Sequence, residues 1–254
     1  VLDGSDAQRI AFMNAPRWVA YPQADLIHAS LRRLMNQPPR PRMPNLLIVG
    51  EPNNGKTTIV RRFFDAHGVG YVSENADPVK PLIFAKAPPV ADEKSLYISI
   101  LQCFFTPHRA SDPTAKLRYQ LVSLLRYCRT RILIIDDFHS LLTGSPLKQR
   151  EVMGAITLLC NELMIPVVGV GTRDAVRVPH ADPQHASDFN VVSLPLWQAD
   201  QNFQRLLVGF ERILPLRRPS RLQQPEIAAL LHRISGGSHL LNKILPSTSI
   251  YTHT

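Results

Sequence analysis

The residues best placed to do chemistry run Gly50-Glu51-Pro52-Asn53-Asn54-Gly55-Lys56-Thr57. Glycines at both ends of such a loop let successive backbone N–H groups converge on phosphate oxygens. A helix opening at its end adds a positive dipole. In this pattern Lys56 reaches the β- and γ-phosphates and the Thr57 hydroxyl ligates Mg²⁺, with Thr58 next in the cradle. The expected ligand is ATP with Mg²⁺, bound through Gly50, Glu51, Pro52, Asn53, Asn54, Gly55, Lys56, Thr57 and Thr58.

A second constellation lies at Arg131-Ile132-Leu133-Ile134-Ile135-Asp136-Asp137. An apolar run delivers Asp136 to a strand end, where a carboxylate holds Mg²⁺ through water. Asp137 stands where a carboxylate polarises the attacking water; it also reads as a helix or turn cap. Glu is the common residue for that task, and Asp is one methylene shorter. His139 either joins this network or caps a turn. Thr172 closes the next apolar run, as a γ-phosphate sensor or as an ordinary strand-end threonine. Trp18 and Tyr21 either pack near adenine or anchor the N-terminal helices.

These groups need a frame to position them. Residues 6–36 read as helix with short breaks, followed by the Pro-rich connector QPPRPRMP at 37–44. Asn45-Leu46-Leu47-Ile48-Val49 is a buried strand, and Lys56 to about Ala66 a helix. Short strands are expected at 69–74 and 81–86, and helices at 94–105 and 112–129, the latter facing inward through Leu117, Leu121, Leu124, Leu125 and Cys128. A strand at 132–135, a helix from Pro146 to about Met164 with Ser145 as N-cap, and a strand at 165–171 follow. Strands alternating with helices mean a parallel α/β sheet. Helices at 200–213 and 224–234 suggest a small C-terminal helical lid. The expected organisation is an N-terminal helical segment and connector (1–44), an α/β core (45–199), the lid (200–246) and a tail (247–254).

The bulk composition restricts the rest. With 254 residues, 44% of them hydrophobic, the chain can bury a sizeable core. No apolar run reaches membrane-spanning length, and the polar N-terminus is no signal peptide; without an initiator Met, the chain as given omits its first residues on this reading. Cys103, Cys128 and Cys160 are isolated, and His180 and His185 lie in a Pro- and Asp-rich loop, so reduced thiols, a cytoplasmic setting and no zinc site are expected. The net charge of +9 points to a polyanionic partner, nucleic acid before membrane.

The stretches RMPNLLIVGEPNNGKTTIVRRF, ILIIDDFHSLLTGSPLKQR, NELMIPVVGVGTRDA and LPLRRPS, with MNAPRWVAYPQA upstream, resemble the TniB family. That family comprises AAA+ ATPases of transposons similar to the TnsC regulators of Tn-seven-like and CRISPR-associated elements. The resemblance covers roughly residues 6–235 and joins the generic loop to non-generic stretches in one order. It implies an AAA+ core with a helical lid, and assembly with ATP into rings or helical filaments of this chain on double-stranded DNA. It also implies recruitment of a DDE transposase, often with a TniQ-type partner. Hydrolysis would drive disassembly.

Three positions depart from the family pattern. Asp137 replaces the usual Glu; Asp188 stands where an arginine finger is expected before Phe189; and the tail after Gly237 does not continue the pattern. A carboxylate at 188 cannot stabilise transition-state charge on phosphate, and Arg173 and Arg177 are the nearby alternatives. Slow hydrolysis follows, or an ATP-gated scaffold that barely turns over, while nucleotide binding is untouched. A small-molecule kinase would need an acceptor-substrate motif, and none is visible. Basic residues cluster at 32–42, 94–118, 126–131, 148–150 and 217–221. The segment 94–118 is the expected DNA-facing insertion, through Lys94, Arg109, Lys116 and Arg118, each of which also reads as part of a solvated face. Phosphate contacts without sequence reading are expected.

Overall fold

A computed structural model describes residues 5–14, 18–109, 111–181, 188–214 and 220–238. The chain divides into two compact units, Leu26–Gly50 with Lys56–Leu194, and Val1–Asp25 with Glu51–Gly55 and Pro195–Thr254.

The larger unit is built on a five-stranded parallel sheet in the order β4-β5-β6-β1-β7. The strands are β1 (Asn45–Gly50), β4 (Leu82–Lys86), β5 (Ile132–Asp136), β6 (Val167–Gly171) and β7 (Phe189–Leu194). β1, β5 and β6 are buried along their whole length, which explains their unbroken apolar sequences. Helices α3 (Lys56–His67), α4 (Glu93–Gln102), α5 (Thr114–Tyr127) and α6 (Pro146–Leu163) connect them. The core is a continuous cluster that includes Leu47, Ile83, Leu96, Tyr97, Leu121, Leu133, Ile135, Phe138, Val152 and Ile156. Each large aliphatic side chain buried there contributes about 1.5–3 kcal/mol. The one polar side chain of β1, Asn45, is buried but satisfied: its Oδ1 accepts the Val167 N–H at 2.8 Å and so ties β1 to the start of β6.

Local chemistry sets the boundaries. Asp92 caps α4 by accepting the Ser95 N–H at 2.8 Å. The expected continuation of this helix to 105 stops at Gln102, because Phe105 turns left-handed at φ 53° and Pro107 follows. α5 begins at Thr114 rather than 112, with Pro113 as its extended N-cap. Its inward face is Leu117, Leu121, Val122, Leu125 and the cap residue Cys128, with Leu124 half-buried. Ser145 caps α6 as expected, with Pro146 in the first turn. The strand expected at 69–74 shrinks to β2 (Tyr71–Val72), which pairs antiparallel with β3 (Pro78–Val79) as a ribbon outside the main sheet. Its turn is closed by Ser73, whose N–H donates to Asp77 O and whose Oγ accepts the Asp77 N–H.

The smaller unit carries α1 (Asp6–Asn14), α7 (Gln201–Ile213) and α8 (Pro225–Ser235). α2 (Pro22–Met35) runs from this unit into the larger one. Asp200 caps α7 through the N–H groups of Asn202 and Phe203, and Gly236 closes α8 in the left-handed conformation. Trp197, Phe203, Tyr21 and His232 form an aromatic cluster, and His232 Nε2 donates to Trp197 O at 2.8 Å. The three cysteines are free thiols. Among the described residues no helix is long and apolar enough to cross a membrane.

Candidate functional site

Three adjacent parallel strands, β5, β6 and β1, end at one edge of the sheet, and they end on Asp136, Gly171 and Gly50. This is the edge at which open α/β sheets present ligand sites, since every connecting loop there leads into a helix or turn. Gly50 has no room for a side chain: a Cβ would lie 2.6 Å from the Leu194 carbonyl oxygen of β7.

α3 opens at this edge with Lys56, Thr57 and Thr58. The Lys56 side chain is buried and folds back to donate to Gly50 O at 3.0 Å, which keeps its ammonium at the strand end. Thr57 Oγ1 donates to Asp136 Oδ1 at 3.2 Å. The same carboxylate oxygen accepts the Asp137 N–H at 3.0 Å. Burial, before any other cause, pushes the Asp136 carboxyl up from its ordinary value, and the Asp137 charge adds to this; the two hydrogen bonds and Lys86 pull the other way. A hydroxyl oxygen and a buried carboxylate oxygen meeting there match the ligand preference of Mg²⁺, and a divalent cation would offset the cost of burying the charge. The residues present therefore fit that ion.

Asp137 adopts a left-handed backbone, φ 53° and ψ 33°, unusual for a residue with a side chain. The turn points its carboxylate toward β4, where Oδ2 meets Lys86 Nζ at 3.2 Å. A 3-10 turn, Phe138–Leu142, follows at once. His139 in that turn packs against the end of β6: a Cβ on Gly171 would sit 3.1 Å from His139 N and 2.9 Å from Ala175 Cβ. Its Nδ1 is buried without a hydrogen-bond partner. Thr172 begins the next 3-10 turn, Arg173–Arg177; its side chain makes no capping bond, while its carbonyl accepts the Ala175 N–H at 3.0 Å.

The remaining loop residues Glu51 to Gly55 belong to the smaller unit. Asn53 and Gly55 take positive φ, 57° and 81°, and the buried Asn54 donates through Nδ2 to Pro195 O at 2.9 Å. Tyr21 is buried in the aromatic cluster, with Trp18 stacked at 6.1 Å and Trp197 at 5.1 Å between ring centroids.

Of the basic candidates, Lys94 lies in the first turn of α4, directly after β4, and Lys116 and Arg118 lie in the first two turns of α5. Since α5 returns the chain to the start of β5, both helices begin at the edge where β4 and β5 end. Arg109 and Arg118 are exposed. Lys116 is engaged by Asp112 at 2.7 Å, and Asp112 also accepts the Arg109 N–H at 2.9 Å. Asp188 is half-buried ahead of β7. Residues 182–187, Arg217, Arg218 and the tail from 239 lie outside the described residues. Lys86 was absent from the sequence reading; a lysine ending an apolar strand carries no motif, and only the strand register places it opposite Asp136.

Among solved structures the fold is similar to the Aeropyrum pernix ORC2 protein in its ADP form, with a TM-score of 0.63 and 15% identity over 94% of this chain and 66% of that one. It is similar to the ADPNP-ADP complexes of the same protein, with a TM-score of 0.60 and 14% identity over 89% and 66%. Drosophila ORC bound to DNA gives 0.58 and 12% over 90% and 60%. The chain thus spans just under two thirds of the length of these structures, and likeness at such identity shows the fold, that of an AAA+ P-loop NTPase. No curated protein matches the sequence. The family described as "Bacterial TniB protein" matches residues 9–199, most of the chain. The chain belongs to the TniB family.

Proposed function

We propose that this protein is an ATP-dependent regulator of DNA transposition, which binds ATP with Mg²⁺, assembles with copies of itself on double-stranded DNA and recruits a transposase to the target. The observation that carries the nucleotide half is the meeting of Thr57 and Asp136 at 3.2 Å beside the buried Lys56. In this reading the loop from Gly50 to Thr58 cradles the phosphates, Lys56 faces the β- and γ-phosphates, and Thr57 and Asp136 hold Mg²⁺. The ion would neutralise charge on the phosphates. Asp137 orients the attacking water, and Thr172 senses the γ-phosphate from the neighbouring strand end. Trp18 and Tyr21 pack near the adenine or anchor the N-terminal helices.

The nucleic-acid half is supported by the charge of +9 and by Lys94, Arg109, Lys116 and Arg118 at the starts of α4 and α5. Contacts to phosphates alone give binding without sequence preference. Membership of the TniB family supports a DDE transposase and a TniQ-type protein as partners. The proposed organisation is the one read from the sequence: helical segment, α/β core, lid and tail.

A second reading is favoured by two residues, Asp137 and Asp188. With a short water-positioning arm and no arginine finger at 188, the protein would use ATP to join subunits on DNA and hydrolyse it slowly. Electron microscopy with duplex DNA, with and without a non-hydrolysable ATP analogue, tests the class: ATP-dependent rings or filaments are expected, and monomers in both conditions sink it. Steady-state hydrolysis with DNA separates the two readings. Turnover that rises with DNA and falls in Lys56→Ala supports the first.

A further inference from the structure

The solvent face of α5 carries two tyrosines that no contact in the fold explains. The buried side of this helix is Leu117, Leu121 and Leu125. The opposite side runs Lys116, Tyr119, Ser123, Arg126 and Tyr127, at the three- and four-residue steps that keep side chains on one face. Tyr119 is 77% exposed and Tyr127 57%. Neither side chain makes a ring contact or a hydrogen bond among the described residues. Tyr97 on α4 shows the contrast: it is buried, and its hydroxyl donates to Glu93 Oε1 at 2.9 Å.

An aromatic ring left in water keeps its faces open to a partner. The neighbouring side chains give the charge of that partner. Lys116 stands one turn before Tyr119, Arg126 directly before Tyr127, and Arg129 just past the helix end. Lys116 pairs with Asp112 at 2.7 Å, Arg126 with Glu162 at 3.9 Å and Arg129 with Asp77 at 3.0 Å, and each cation stays largely exposed in its pair. Surface pairs of this kind are weak, so a run of phosphates competes with them readily. Tyr119 and Tyr127 lie eight residues apart, about 12 Å along the helix axis. Cations beside open aromatic faces match an unpaired nucleic-acid strand, which offers phosphates to the cations and base faces to the rings. A duplex offers only the phosphates and groove edges, because its base faces are covered by stacking on one another.

We propose that the outer face of α5 binds single-stranded nucleic acid, with unpaired bases stacked on Tyr119 and Tyr127 and the backbone held by Lys116 and Arg126. The site tolerates any sequence, since every base has a π-face. It goes beyond assembly on duplex DNA, and none of its residues belongs to the nucleotide site.

The test uses the full chain and three labelled probes of equal length: an oligothymidylate, an oligouridylate and a duplex. Anisotropy titrations over a salt series are run on wild type, Tyr119→Ala, Tyr127→Ala, Tyr119→Phe and Tyr127→Phe. Each Ala variant is expected to weaken single-strand binding about fivefold to tenfold, the low end of the range for one stacked base. The salt slope and the duplex affinity are expected to stay as in wild type. Each Phe variant is expected to bind like wild type, because the ring is kept. A loss confined to the DNA strand or to the RNA strand supports the proposal and names the strand. A wild type without measurable single-strand affinity would overturn it, as would equal losses on single strand and duplex, or Phe variants as weak as the Ala variants. Sedimentation without nucleic acid tests the other occupant: Ala variants that lose self-association and keep strand affinity make this face a contact between copies and sink the proposal. A wild type that binds the single strands but not the duplex supports the proposal and removes the duplex reading instead.

Discussion

Thr57 and Asp136 lie 79 positions apart in the chain and meet through a hydrogen bond of 3.2 Å. One opens a helix after the central strand and the other ends a strand two places across the sheet. The hydroxyl and the carboxylate thus hold each other where two oxygen ligands for one cation are wanted. On the proposed reading, Thr57→Ala removes a ligand of Mg²⁺ without disturbing the buried sheet. It is expected to weaken ATP binding about tenfold or more in Mg²⁺, in line with a lost interaction of about 1–3 kcal/mol, and to change binding in EDTA little. Titration of a fluorescent ATP analogue in both conditions measures this, and equal losses with and without Mg²⁺ would remove Thr57 from the ion.

The backbone approach at Gly50 makes a sharp contrast with Gly154. A Cβ at Gly50 would press on the Leu194 carbonyl at 2.6 Å, and that backbone can move aside only by breaking the pairing of β7 with β1. Gly154, on the exposed side of α6, has nothing within 4 Å. Gly154→Ala is expected to stabilise by about 0.5–1 kcal/mol through helix propensity. Gly50→Ala is expected to destabilise by several times that or to prevent folding. Thermal melts of both variants check the pair; a neutral Gly50→Ala would mean that β7 can shift away from β1.

How much of this was legible in the sequence depends on how local each feature is. The loop at 50–57 and the apolar strand ending in Asp136 are contiguous patterns whose physics is complete within about ten residues, and Ser145 before Pro146 is a local cap. β7 escaped because Phe189–Leu194 is an edge strand with exposed residues in its middle, so it shows neither a continuous apolar run nor a clean alternation. The strand at 69–74 was legible in part, but β3 and its pairing with β2 escaped because their turn is set by Ser73 and Asp77 bonding to each other across an otherwise polar stretch. The left-handed turn at Asp137 and its pairing with Lys86 depend on the register of β4 against β5, a non-local quantity that no motif encodes.

Asp112 ties the loop after α4 to the first turns of α5. The hydrogen bond from Lys116, and then the N–H of Arg109, hold its carboxyl below the ordinary value of about 3.9. A carboxylate with a depressed folded pKa contributes stability that is present above the unfolded value and is lost as pH falls through the folded one. Asp112→Ala should therefore lower the melting temperature at pH 7, and the gap between variant and wild type should close as pH is brought below about 3.9. Melting curves across that window decide it. A gap that stays constant with pH would mean that shape rather than charge at 112 carries the effect.

The same pair bears on DNA binding, because Lys116 already spends part of its charge on Asp112 while Arg118 and Arg109 form no ion pair among the described residues. If phosphate contacts dominate, replacing Arg118 or Arg109 by Ala should weaken binding evenly across duplex sequences. Each replacement should also reduce the slope of log affinity against log salt by about 1. Lys116→Ala should do less of both, since its removal frees the Asp112 charge without removing an unpaired cation. Asp112→Asn gives the reciprocal control: it releases Lys116 and should steepen the salt dependence. Fluorescence anisotropy with two unrelated duplexes over a salt series measures all four variants. Sequence-dependent losses would argue for base contacts instead, and unchanged slopes in every variant would move the DNA-facing surface away from the starts of α4 and α5.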